Sequence, residues 1–207
     1  MIYRDGGDRW LDEDSAVERY PIAVGNHAAE SSARRFAESG SDAVILRFGL
    51  FYGHGAAHSE QFLDLARRHV VFQAGRPDSY VSSIHLGDAA AAAVVAALDS
   101  PTGTFNVVDD EPVTKRQNSA ALAEAVGISR SLPVTGRAAL LLGDRTTSLT
   151  RSLRVSNRRF RTACQWAPRY PSVREGYRDM ARRESPAPLI LRHSPHVSSR
   201  PRFDHES

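Results

Sequence analysis

His54 and His58 are spaced H-x-x-x-H, with Glu60 close by. On a helix that spacing would turn two imidazoles toward one metal ion. The surrounding loop is Gly- and Ala-rich and no third ligand is fixed, so loop histidines are the preferred reading and no metal is expected. His27 and Glu30 share a helix face, where a surface hydrogen bond is preferred to a ligand pair. Lys115 is the only lysine, so chemistry that needs a lysine can operate nowhere else. Arg47 lies in an apolar segment and requires a partner if it is buried. Asp88 is the candidate within this chain, and an acidic residue outside it is the alternative. Cys164 beside Trp166 reads as a small core residue, and the arginines from Arg137 to Arg161 read as a solvated face. No G-x-G-x-x-G or G-x-x-G-x-x-G lies near the N-terminus, where a strand-turn-helix would cradle a pyrophosphate.

The elements that must position these residues alternate strand and helix, which predicts an α/β architecture. Residues 1–20 are irregular and acidic. Residues 22–38 form a helix with an apolar stripe of Ala29, Ala33, Phe36 and Ala37, stopped by Gly40. Residues 43–48 read as a strand buried on both faces, and residues 49–55 as a glycine-containing loop. A helix over 59–69 buries Phe62, Leu63, Leu65 and Ala66. Residues 80–85 form a short strand, and Asp88 caps an Ala-rich helix over 89–98. Another strand spans 104–108. Thr114 and Gln117 form a capping box for a helix that buries Leu122 and Val126 and ends at Gly127. Short helices are expected over 136–147, 157–164 and 172–182, and a disordered tail over 184–207.

Composition narrows the class. The 207 residues are 41% hydrophobic and 25% charged, as in an ordinary soluble globular protein. The net charge is only +3 and 24 acidic residues offset spread-out arginines, so no nucleic-acid partner is expected. One cysteine cannot form an intrachain disulfide and fits a reducing compartment. The first ten residues carry no apolar signal core. The longest apolar run, Ala89 to Leu98, is too short to span a bilayer. A cytoplasmic location without a membrane partner is expected.

Five segments, in order, carry a family resemblance. They are Tyr3-Arg4-Asp5-Gly6-Gly7 with the acidic Leu11 to Asp14, Asn26-His27-Ala28-Ala29-Glu30, and Leu46-Arg47 through Tyr52-Gly53-His54-Gly55. Ser83-Ile84-His85-Leu86-Gly87-Asp88-Ala89 and Gly103-Thr104-Phe105-Asn106-Val107 complete the set. The chain resembles the later half of the extended short-chain dehydrogenase/reductase family, the NAD(P)-dependent epimerases and dehydratases. That resemblance implies a partial Rossmann-like doubly wound sheet lacking its N-terminal half, with a small, mostly helical substrate-side part, all within residues 1–183. It implies NAD or NADP as cofactor, held here by Asn26, Phe48, Gly49 and Leu50, and a small hydroxy or keto substrate against Phe51, Tyr52 and His85. For His85 a packing role beneath the next helix stays equally open.

The departures matter as much. The family transfers its proton with a tyrosine whose pKa a lysine one helical turn later lowers. Here the tyrosine position is Ile22 and the lysine position Asn26, so no catalytic residue is assigned. Tyr20 is two residues off, roughly 200° around a helix. The family's Ser/Thr would precede Met1. Many nucleotide-sugar members carry an arginine where this chain has Val81, so such a substrate is not supported. The expectation is a truncated, mis-started or split form, inactive alone, whose partners are a homodimer mate through residues 22–38 or the missing half. The alternative is a non-catalytic NAD(P)- or ligand-sensing protein, or an inactive remnant.

Overall fold

The structure is a computed structural model that describes residues 1–73, 75–99, 101–129, 132–135 and 150–184. Strand β1 (Trp10–Leu11) leads through a 3-10 turn (Pro21–Ala23) into α1 (Val24–Glu38). Then follow β2 (Val44–Phe48), β3 (Leu50–Tyr52), α2 (Ala57–Arg67), β4 (Val70–Gln73), β5 (Tyr80–Val81) and β6 (Ser83–His85). Helix α3 (Leu86–Asp99), β7 (Gly103–Val107), β8 (Val113–Thr114), α4 (Lys115–Ala125) and β9 (Leu132–Thr135) come next. The last elements are β10 (Arg154–Val155), α5 (Arg158–Cys164) and α6 (Val173–Glu184). The fold is α/β and Rossmann-like. Parallel pairs join β1 to β10, β2 to β7, β3 to β6 and β4 to β9, while β5 and β8 are antiparallel.

The β2–β7 pair runs in register from Val44 opposite Gly103 to Phe48 opposite Val107. One face packs on α3 and α5 through Ala89, Ala92, Phe105, Val107 and Phe160. Strand β2 is not buried on both faces as the sequence predicts. Only Arg47 is fully buried in it, because among the described residues β2 has one neighbour and an open second edge. The apolar stripe predicted on α1 is likewise uncovered. Glu30 is its one buried residue, and Phe36 is 57% exposed.

A second core gathers α2, α4 and α6 around Tyr52, Leu63, Leu122, Val173, Tyr177 and Met180. The capping box forms as predicted: the Thr114 side chain accepts from the Gln117 backbone N–H, and the Gln117 side chain accepts from that of Thr114. In α2 Leu63 and Ala66 are buried and Phe62 partly so, but Leu65 is exposed. The predicted loop over 49–55 contains strand β3, which the run Leu50-Phe51-Tyr52 supplies. Residues 80–85 are two strands rather than one, changing partner at Ser82. Asp88 does not cap. It lies inside α3, and its carboxylate accepts the backbone N–H groups of Arg169 and Tyr170 at 3.0 Å each. The helix expected over 136–147 and all of the tail expected over 184–207 except Glu184 lie outside the described residues; Glu184 is the last residue of α6. Among the described residues no helix is long and apolar enough to cross a membrane.

Candidate functional site

The turn Phe48-Gly49-Leu50 is where the chain leaves β2 and joins β6. Glycine is required there by close approach: a Cβ on Gly49 would stand 2.8 Å from the Ser82 carbonyl oxygen. This turn lies at the C-terminal end of a parallel strand, the position where ligands sit in such sheets. A cavity of about 440 Å³ opens between α1 and β2, lined in part by Asn26, Glu30, Arg47, Phe48, Gly49 and Phe51. A second, of about 190 Å³, shares Gly49 and Phe51 and adds Leu50, Tyr20, Tyr80, Lys115 and Arg151. The Phe48 and Phe51 rings lie 5.3 Å apart and wall the turn.

Of the residues inferred from sequence, Asn26, Phe48 and Gly49 share the larger cavity and Leu50 lines the smaller. Phe51 touches both. Tyr52 and His85 line neither. Tyr52 is buried, its ring 5.4 Å from His85 and 5.3 Å from Tyr177, while His85 lies 4.4 Å from Tyr170. The His85 Nδ1 accepts from the Gly87 backbone N–H at 3.1 Å. Beside them Asp109 is buried, and neither carboxylate oxygen meets a hydrogen-bond donor in good geometry among the described residues. Burial, with Asp88 nearby, pushes its carboxyl up to about 8.

Arg47 finds its partner in Glu30, not Asp88. Its Nε donates to Glu30 Oε1 at 2.8 Å and its Nη2 to Oε2 at 2.9 Å, a bidentate buried pair. Its Nη1 donates to the Tyr3 hydroxyl at 2.8 Å, and that hydroxyl donates to Asn106 Oδ1 at 2.7 Å. Burial resists ionisation of Glu30, but the Arg47 and then the Arg34 guanidinium outweigh it and hold the carboxyl below its usual range. Burial keeps the Tyr3 phenol above its ordinary pKa, so Tyr3 is no general base near neutrality. The Glu30 partnership was missed from sequence because Glu30 and Arg47 sit on different elements; the lone cation in an apolar strand was the available signal.

Tyr20 does not restore the absent tyrosine. Its hydroxyl is committed to the Met1 carbonyl, its ring lies 3.9 Å beneath the Arg151 guanidinium, and burial raises its pKa. Arg151 itself departs from the solvated face expected for its neighbours, being only 8% exposed. His27 bonds the Glu18 carbonyl at 3.0 Å rather than Glu30. His58, placed in α2, bonds the Phe51 carbonyl at 2.7 Å. Cys164 is half-buried and packs against the core that contains Trp166. Among the described residues no group of three or more His, Cys, Asp or Glu is placed to hold a metal ion.

The larger cavity fits the nicotinamide end of a dinucleotide: a bare backbone turn, an aromatic wall and one amide side chain. Nothing in the sequence supplies the glycine-rich turn that would hold its pyrophosphate. No protein-family model matches the chain. A 3-diazoavenalumate denitrifying reductase from a Streptomyces species is 33% identical over 148 residues, which are 69% of this chain and 48% of that protein. A human epimerase family protein solved with NADPH superposes with a TM-score of 0.77 at 20% identity, over 87% of this chain and 62% of that one. The UDP-glucose 4-epimerase of Thermus thermophilus, solved with NAD, gives 0.67 at 25% identity, over 89% and 60%. The chain thus spans about half the length of the curated relative and about three-fifths of the solved ones.

Proposed function

Taking as premise the extended short-chain dehydrogenase/reductase fold, that of the NAD(P)-dependent epimerases and dehydratases, we propose that this chain forms the nicotinamide- and substrate-facing part of an NAD(P)-dependent reductase. The observation that carries the reading is that Asn26, Phe48 and Gly49 line one cavity at the C-terminal end of β2. When bound, the cofactor supplies hydride. Asn26 offers an amide to position the ring, Gly49 lets the backbone approach, and Phe48 and Phe51 exclude water from the turn. The Arg47–Glu30 pair fixes α1 against β2, and with them the cavity walls.

Among the described residues no side chain at the larger cavity repeats the Tyr/Lys pair that would move a proton to or from a substrate oxygen. We therefore infer reduction at a centre that needs no such relay. A diazonium-type acceptor meets that condition: the new C–H bond takes the hydride pair, and nitrogen leaves with the C–N pair. The name of the Streptomyces relative is of this kind. Turnover would also need a turn that holds the cofactor's pyrophosphate. A homodimer through α1 and a cytoplasmic setting go with the reading. The loss of the Tyr/Lys pair also favours a second reading, a ligand-sensing protein that binds the nucleotide without oxidising it.

Reduced nicotinamide mononucleotide, which lacks the adenylate half, is the direct probe. Titrated into the isotopically labelled chain, it is expected to shift the amide resonances of Phe48, Gly49 and Leu50 and the side-chain amide of Asn26. Shifts confined to other surfaces, or none, would remove the nicotinamide assignment. Binding without hydride loss to ketone or diazo acceptors in the whole protein would select the sensing alternative.

A further inference from the structure

Lysine and arginine together number 27, and Lys115 is the one lysine. Even the buried cations Arg47 and Arg151 are arginines. The difference is chemical: an arginine stays charged in a protein, whereas a desolvated lysine can lose its proton and act as a nucleophile. Lys115 opens α4, is 8% exposed and lines the smaller cavity. Its Nζ donates to a neutral acceptor, the Arg151 carbonyl, at 3.2 Å. Asp5 favours the ammonium electrostatically, but its carboxylate accepts the backbone N–H groups of Gly7 and Ser152 at 2.9 and 3.1 Å. Burial outweighs that attraction and lowers the Lys115 pKa to about 8. At pH 7 about one chain in ten then carries the free amine, against roughly one in three thousand for a lysine at 10.5.

The slot beside this amine measures about 190 Å³, a little above the ~150 Å³ that houses a benzene ring in an apolar cavity. Tyr20, Tyr80, Leu50 and Phe51 form much of its wall. With Lys115 unprotonated, Arg151 and the Met1 ammonium stand against Glu18 and Asp5, two charges of each sign. That balance selects no anion. What defines an occupant is one nucleophilic nitrogen and an apolar wall, and the uncharged electrophile that a free amine takes up reversibly is a carbonyl carbon.

We propose that Lys115 captures a small apolar aldehyde in this cavity as a reversible imine. The Nζ lone pair forms the bond to the carbonyl carbon and the carbonyl π pair moves to oxygen. That oxygen leaves as water with the two amine hydrogens, and a C=N bond remains. Nothing is oxidised or reduced. The aldehyde's body lies among Tyr20, Tyr80 and Leu50, against the Gly49 turn that both cavities share. An aldehyde suits a slot of one ring's size better than a ketone, because its carbonyl carbon carries a single substituent. The assignment goes beyond the reductase reading and needs no nicotinamide.

The test is reductive trapping. The chain at pH 7 is treated with benzaldehyde and sodium cyanoborohydride, and the benzylated amines are located by peptide mass spectrometry. Lys115 is expected to be labelled at least about tenfold faster in the folded chain than in guanidinium chloride, where its pKa returns to the ordinary value. Simple protection by burial would give the opposite order. The gain should exceed that of the Met1 amine, which starts from an ordinary value of 8.0. Glyoxylate, a charged aldehyde, should show no such gain. Leu50→Trp, which narrows the slot, should cut benzaldehyde labelling of folded Lys115 severalfold. Equal or slower labelling of Lys115 on folding, a gain no larger than that of Met1, an equal gain with glyoxylate, or labelling untouched by Leu50→Trp would each overturn the assignment. The cyanoborohydride supplies the hydride and no nicotinamide nucleotide is present, so the outcome is separate from the fate of the reductase reading.

Discussion

Two buried carboxylates in this fold meet opposite fates. Glu30 is clasped by Arg47 and stays ionised, whereas Asp109 has no cation beside it and holds its proton up to about pH 8. In the unfolded chain Asp109 returns to its ordinary value of 3.8 and is ionised over most of the range between. Folding therefore takes up a proton across that window. The contribution is fully present below the unfolded value and is lost as pH rises through the folded one. Asp109→Asn keeps the neutral, hydrogen-bonding shape and removes the titration. At about 1.4 kcal/mol per pKa unit we expect the substitution to stabilise the protein by several kcal/mol at pH 8 and to have almost no effect near pH 4. Parallel Tm-against-pH curves for the two proteins would show that Asp109 is ionised in the fold.

At the scale of elements, α6 is seated by a missing side chain. A Cβ on Gly176 would fall 2.3 Å from the Tyr52 ring and 2.5 Å from its hydroxyl. Glycine to alanine inside a helix ordinarily gains about 1 kcal/mol. Here the overlap is with a buried ring packed against Tyr177, and relieving it costs about 1–3 kcal/mol, so the clash outweighs the propensity. Gly176→Ala is expected to lower the urea midpoint, and a midpoint at or above the parent's would mean that α6 lifts off freely. Nothing in the sequence around Gly176 announces this, because the partner ring is more than a hundred positions away. The local signals place their elements to within a few residues: the Thr114 and Gln117 capping box forms, the helix expected over 89–98 is Leu86–Asp99, and the strand expected over 104–108 is Gly103–Val107. The errors share one origin. Leu50-Phe51-Tyr52 was taken for a loop because flanking glycines look like turn residues, yet Gly49 serves a strand that changes partners. Asp88 looked like a cap because the residues holding it, Arg169 and Tyr170, are distant. Arg151 looked solvated because neighbouring arginines are, and only the tertiary fold brings Tyr3, Glu18 and Tyr20 around it.

Across the whole molecule the uncovered surfaces lie together. Helix α1 buries only Glu30 and exposes Val24 at 62% and Phe36 at 57%. Isolated helices of about this length are marginal in water, and most draw their stability from a packed face. The Arg47–Glu30 pair anchors α1 at one point but does not cover its apolar residues. Beside it the second edge of β2 has no strand partner among the described residues, and such an edge invites another strand. The homodimer proposed through α1 would cover the first surface and not the second, so two substitutions separate them. Light scattering on the purified chain should give twice the monomer mass. Phe36→Glu should return it to monomer with an unchanged circular dichroism spectrum, while Ile45→Lys, on the β2 edge, should leave the dimer intact. Association lost with Ile45→Lys and retained with Phe36→Glu would instead make the strand edge the contact. α1 would then be a helix whose apolar face some other part of the whole protein must cover, and the cavity between α1 and β2 would be closed from the sheet side rather than by a second helix.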